Sequence, residues 1–188
     1  MTITPHAPGL AHALAAEIFA ALPAVGEDMA GRPHNGDAAL VFFPALLESK
    51  TPEEAITFGS YLLPPRKGVW WAHQCVSGLL HLLGEDDRHM LQLAEDWVRQ
   101  PEEGQRVAAL TGAMTARTKT PGVWVALAAG WTSGSMVGPD LPAVPPPAYL
   151  TPRAVNAAIL SGLARVDLLH RAQTLKAFVD MGLNLAVQ

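Results

Sequence analysis

Proline cannot sit in the interior of a regular helix, so the placement of the sixteen prolines does most to limit this fold. Three of them follow threonine, at Thr51-Pro52, Thr120-Pro121 and Thr151-Pro152. Threonine at an N-cap accepts a hydrogen bond from a free N–H of the first turn. Proline in the next position loses nothing, because its N–H would be an orphan there. The three steps therefore predict helix starts at residues 52, 121 and 152. Thr51-Pro52-Glu53-Glu54 also has the form of a capping box closed by Glu54.

Apolar spacing supports helices elsewhere. Leu10, Leu14, Ile18 and Leu22 form a stripe at four-residue intervals over Pro8–Leu22. Residues 23–37 are rich in glycine and proline and read as loop, and residues 38–48 form a helix interrupted by Pro44 or two short pieces. Lys67–Leu83 reads as one helix stopped by Gly84. The next is capped by Asp86 or Asp87, and another runs from Pro101 to about Arg117. At the C-terminal end, Val155, Ile159 and Val166 make one stripe. Leu168, Ala172, Leu175 and Val179 make a second, closed by Gly182. No segment alternates apolar and polar residues as a half-buried strand would.

The expected fold is all-α, with about eight helices in packed hairpins. A solenoid-like stack is one version, because Gly68-Val69-Trp70-Trp71-Ala72 and Gly122-Val123-Trp124-Val125-Ala126 share G-V-W-x-A. Residues 138–152, GPDLPAVPPPAYLTP, favour an extended polyproline strap lying across the helices. This divides residues 1–188, a single helical domain, into four parts. They are an N-terminal helix and loop (1–36), a helical body (37–137), the strap (138–152) and a C-terminal hairpin (153–188).

Composition limits the function classes. Half the chain is apolar (49%), enough for a real core. The net charge of −4 argues against nucleic acid as a partner. No run is long and apolar enough for a membrane span, and no basic stretch opens a secretory leader, so the expected compartment is the cytoplasm. One cysteine excludes an internal disulfide framework.

Candidate chemistry is sparse. The seven histidines include no H-E-x-x-H pair. His81, Glu85 and His89 bracket a turn at Gly84 and are the weak candidate for a metal site. Against this stands a helix-end histidine beside a capped turn. Cys75 lies two residues from His73, on a different helix face, and reads as a buried structural thiol. No catalytic residue, cofactor or metal is expected. The tryptophans are more informative. Trp70, Trp71, Trp124 and Trp131, with Tyr149, are the candidate partner-binding residues, since tryptophan anchors dominate many protein interfaces. The competing reading is a tryptophan-stiffened core.

Four motifs carry a resemblance: K-G-V-W-W at 67–71, D-W-V-R-x-P-x-x-x-x-R at 96–106, P-G-V-W-V-A-L-A-A-G-W-T-S-G-S at 121–135, and L-P-x-V-P-P-P-x-Y-L-T-x-R-A-V at 141–155. Over roughly residues 60–180 the chain resembles an uncharacterised family of bacterial proteins of about this size, associated with type VI secretion gene neighbourhoods. The resemblance implies a setting, with a secretion component or effector as partner, and no catalytic residue. The leading expectation is a non-catalytic adaptor or chaperone-like accessory protein. The alternatives are a metal- or ligand-binding protein or enzyme built around His73, Cys75, His81, Glu85 and His89, and a homodimer joined through its apolar helices.

Overall fold

The computed structural model describes residue 10, residues 12–137 and residues 141–188. The start of the expected N-terminal helix, and Gly138–Asp140 of the expected strap, lie outside the described residues. Among the described residues ten α-helices follow in order: α1 (Ala15–Ala21), α2 (Ala24–Asp28), α3 (Ala39–Ala45), α4 (Glu54–Leu62), α5 (Pro65–Ser77), α6 (Glu85–Arg99), α7 (Glu103–Thr115), α8 (Pro121–Gly130), α9 (Leu150–Leu163) and α10 (Leu168–Val187). Short 3-10 turns cover Leu46–Glu48 and Leu80–Leu82. Among the described residues the one extended pairing is an isolated bridge between Leu14 and Ala38. The fold is all-α, as the apolar spacing predicts.

The middle of the packing is α8. Its sequence PGVWVALAAG has no charged residue, and every side is buried except at Trp124. A helix apolar all round needs cover all round, and α6, α7, α9 and α5 supply it. On the other side of α5, α3, α4 and α10 enclose an aromatic cluster. Phe43 meets Trp71 edge-on with ring centroids 6.0 Å apart, and Phe42 meets Phe58 edge-on at 4.9 Å. The Trp71 indole N–H donates to the Phe178 carbonyl of α10 at 2.7 Å. The terminal pair is less of a hairpin than expected, because α10 packs against α3, α4 and α5 more than against α9.

Several local expectations are corrected. Thr51 does not cap α4. The Glu54 carboxylate instead accepts from the N–H groups of Ala30 and Gly31, at 2.6 and 2.9 Å, and pins the preceding loop. Pro121 does open α8, but its capping oxygen is Oδ1 of Asp87, which accepts from the Gly122 N–H at 2.7 Å. The Thr120 hydroxyl is buried with no partner among the described residues. Asp87 is therefore a buried cap for a neighbouring helix, and Gly84 occupies the N-cap of its own helix α6. The third Thr-Pro step lies inside α9, which begins at Leu150.

The 23–37 loop contains α2, and residues 38–48 resolve into α3 followed by a 3-10 turn. The stretch 67–83 also breaks in two, with α5 ending at Ser77. Gly182 does not end α10. A Cβ there would lie 2.9 Å from Trp71 and 3.0 Å from Phe43, so it is a close-packing position. In the last stripe, Leu175 and Val179 are buried but Leu168 is 76% exposed. The proline segment has no regular secondary structure between 141 and 147 and does not strap the helices, since only Pro146 in that stretch is even half-buried. It is tied back by the Met136 N–H donating to the Val144 carbonyl at 2.9 Å.

Candidate functional site

Pro64 and Pro65 set the start of α5, with Pro65 in its first turn. That start fixes where Arg66, Lys67 and Trp70 point. Residues three and four apart on a helix are surface neighbours, so both cations lie on the same side as Trp70. The last turn of α6 runs alongside. Arg66 Nε donates to the Val98 carbonyl at 2.8 Å, satisfying an acceptor that a helix end leaves without an internal partner. Arg66, Lys67, Trp70, Val98 and Arg99 together line an open shelf of about 570 Å³.

The shelf is braced from behind. The His73 ring stacks on Trp70, with centroids 5.0 Å apart and planes within 10°. His73 Nε2 lies 3.8 Å from a Glu95 oxygen, too far for a hydrogen bond. The other Glu95 oxygen accepts from Arg99. His73 Nδ1 is buried without a partner among the described residues. Burial holds the His73 imidazole below its ordinary pKa. Glu95 opposes that shift and Arg99 adds to it. The imidazole is therefore neutral near pH 7, and the net charge facing the shelf comes from the arginines and Lys67.

The five aromatic candidates separate. Trp70 is half-exposed on the shelf. Trp71 is fully buried and leaves no surface for a partner, so the core reading holds for it. Trp124 and Trp131 are half-buried on and just after α8, packed against the core, and neither lines the shelf. The Trp131 indole N–H is buried with no partner among the described residues. Tyr149 lies under the Arg153 guanidinium, 4.5 Å from ring to cation. Arg153 in turn bonds Asp28 at 2.9 Å and Glu27 at 3.0 Å, and Asp28 accepts from the Tyr61 hydroxyl. Burial, then Asp28, hold the Tyr61 hydroxyl above its ordinary pKa. This network joins α2 to α4 and α9.

The alternative chemistry does not assemble. Among the described residues no three His, Cys, Asp or Glu side chains gather as a metal site. His81 faces a depression against α10, and His89 faces a separate one beside α7. Cys75 is fully buried, and burial pushes its thiol well above the ordinary pKa, away from the reactive thiolate.

Arg106, the last residue of the D-W-V-R motif segment, is a buried strut. It bonds both Glu103 oxygens and the carbonyls of Gly130, at 2.6 Å, and Ser135, at 3.2 Å. The loop over it needs Gly134 at φ +67°, where a Cβ would also strike the guanidinium at 2.6 Å. A second, more enclosed apolar cavity, about 520 Å³, opens between the α4–α5 junction and the start of α9. Of its polar groups, Ser60, Tyr61 and Thr151 are already bonded within the fold, and His12 also lines it.

Sequence reasoning found Trp70 but missed Arg66, Lys67, Val98 and Arg99. The two cations just ahead of G-V-W were a visible signal for half of the shelf. Nothing in the sequence showed that the end of α6 would complete it.

This is an all-α chain with a compact core, a saturated buried arginine and a tryptophan shelf at the surface. Residues 42–186 match the model of a family of unknown function, DUF6931, and the chain belongs to that family. The matched range starts within α3, so α1 and α2 lie outside it. No curated protein and no solved structure matches the chain.

Proposed function

We propose that this protein is a non-catalytic protein-binding adaptor that engages its partner through the Trp70 shelf. The observation supporting this reading is the shelf itself, an indole held open between cationic side chains by His73 stacked behind it. Tryptophan and arginine are the residues most enriched among interface hot spots. The chain's other distinctive groups are committed to the fold: Arg106 to a loop, Asp87 to a helix cap, Cys75 to the core. The sequence resemblance supplies the setting, an accessory protein of bacterial type VI secretion, and the proposed compartment is the cytoplasm.

The test is capture from the native host with the tagged full chain, beside a Trp70→Ala variant of unchanged melting temperature. The expected result is a secretion component or effector retained by the wild type and lost by the variant. Recovery of the wild type alone, or equal capture by both, would overturn the reading.

A further inference from the structure

The shelf's charge and size narrow what would sit on it. Among the described residues neither Arg66 nor Lys67 has an ion-pair partner. Arg99 is paired with Glu95, and its own side chain is 73% exposed. Three cations thus face one carboxylate, on a chain whose net charge is −4. Between the charges the floor is apolar, made by the Trp70 indole and Val98. Five residues from two helix turns are too small a surface for a folded partner, which covers about 800 Å² on each side in a stable complex. They suit a short segment in extended or single-turn form. Three cations also fall short of the four to eight clustered basic residues that read as a lipid-headgroup surface. A single accessible indole in an acidic chain is a poor footprint for nucleic acid.

We propose that the shelf receives an acidic linear segment of a partner protein, with one aromatic or aliphatic side chain against Trp70 and Val98 and flanking carboxylates directed to Arg66, Lys67 and Arg99. This rests on the adaptor reading and names the chemistry of the partner. The indole face supplies area at little entropic cost, because His73 already fixes the ring. The cations supply orientation and encounter rate, so binding weakens as salt rises.

The test is selection of a random peptide library displayed on phage against the immobilised full chain. An enriched peptide is then labelled and titrated by fluorescence anisotropy. The expected peptides carry Asp or Glu around a Leu, Phe or Trp. Their affinity falls about tenfold or more in Trp70→Ala. It falls by a similar factor in Lys67→Glu, and by less in Lys67→Met, which keeps the aliphatic stem but not the charge. Because Lys67 is partly exposed and has no ion-pair partner among the described residues, both of its variants should melt like the wild type, which separates lost binding from lost folding. Enrichment of neutral or basic peptides overturns the proposal. So does enrichment of acidic peptides that bind Lys67→Glu as well as wild type, and in that case the adaptor reading survives with its surface elsewhere. No enrichment, together with Lys67-dependent binding to phosphatidylserine vesicles or to single-stranded RNA, overturns it in favour of that ligand. No enrichment with no binding to either overturns the shelf outright, and the capture experiment then decides the adaptor reading on its own.

Discussion

Helices α5 and α8 carry the same five-residue pattern and use it alike up to a point. In both, the glycine, valine and alanine are buried and the first tryptophan is only half-buried. Their surroundings then diverge. The α5 glycine, Gly68, has room, since the nearest atom to an added Cβ is Val155 at 3.7 Å. The α8 glycine, Gly122, has none, because an added Cβ would lie 2.6 Å from the Asp87 carbonyl oxygen. Ahead of the string α5 carries Arg66 and Lys67 on the shelf, whereas α8 has no charged residue and is buried at every position but Trp124. One pattern yields a central pillar in one place and an edge with an open shelf in the other. What separates them is the distance to the next backbone.

The largest test concerns the residue after the shared tryptophan, Trp71 in α5 and Val125 in α8. Both are fully buried. Trp71 is wedged where Gly59 and Gly182 let α4 and α10 approach it. Trp71→Ala should cost about 3–5 kcal/mol in chemical denaturation. Trp70→Ala, one position away, should cost less, because that ring is only half-buried at the surface shelf. Equal losses would erase the distinction between a core tryptophan and a shelf tryptophan.

The glycines give the next contrast. Gly122→Ala should destabilise by about 3 kcal/mol, because the obstructing atoms are backbone and cannot rotate away. Gly68→Ala should be neutral or stabilise by up to about 1 kcal/mol through helix propensity. Matching changes in urea midpoint would mean that the two helices sit in equivalent environments after all.

Capping separates them further. Asp87→Ala removes the carboxylate that accepts from Gly122 and should cost about 1.5–3 kcal/mol. Thr120→Val should stay within about 0.5 kcal/mol, since that hydroxyl makes no bond among the described residues. A functional threonine cap would instead lose about 1 kcal/mol. Thermal melts of the two variants side by side decide which residue holds the start of α8.

These contrasts show what the sequence made legible. Helical class followed from apolar spacing and from prolines that mostly fall in first turns and irregular stretches, because both are local; Pro44, in the last turn of α3, is the exception. Pro65 and Pro121 mark helix starts without any knowledge of tertiary contacts. The caps were not legible. The oxygen that serves α8 comes from Asp87, 35 residues earlier, and Glu54 serves a loop 23 and 24 residues earlier. Gly182 looked like a terminator because its role depends on Trp71 and Phe43, both far away in sequence. Half of the candidate site was visible for the same reason as the helices. Arg66, Lys67 and Trp70 are close in sequence, whereas Val98 and Arg99 arrive only through the packing of α6 on α5.

The smallest effect comes from the next aligned pair, His73 in α5 and Leu127 in α8. Leu127 is buried, as the center of the fold requires. His73 stacks on Trp70 with one nitrogen unpartnered. Burial lowers its pKa from the ordinary 6.5, so below that pH the unfolded chain takes up a proton that the folded chain resists. The resulting contribution is intact above about pH 6.5 and declines as pH falls toward the folded-state value, with a slope of no more than about 1.4 kcal/mol per pH unit. His73→Leu makes α5 resemble α8 at this position and removes that slope. The variant should match or exceed wild-type stability near neutral pH, since it also removes a buried unpartnered nitrogen. Its advantage should widen between about pH 7.5 and about pH 5.5, read as the difference between the two melting curves, so that carboxylates common to both cancel. If wild type gains on the variant as pH falls, attraction between protonated His73 and Glu95 outweighs burial. The shelf would then rest on an ion pair that tightens in acid, with Glu95 drawn from Arg99 and the Arg99 charge released toward solvent.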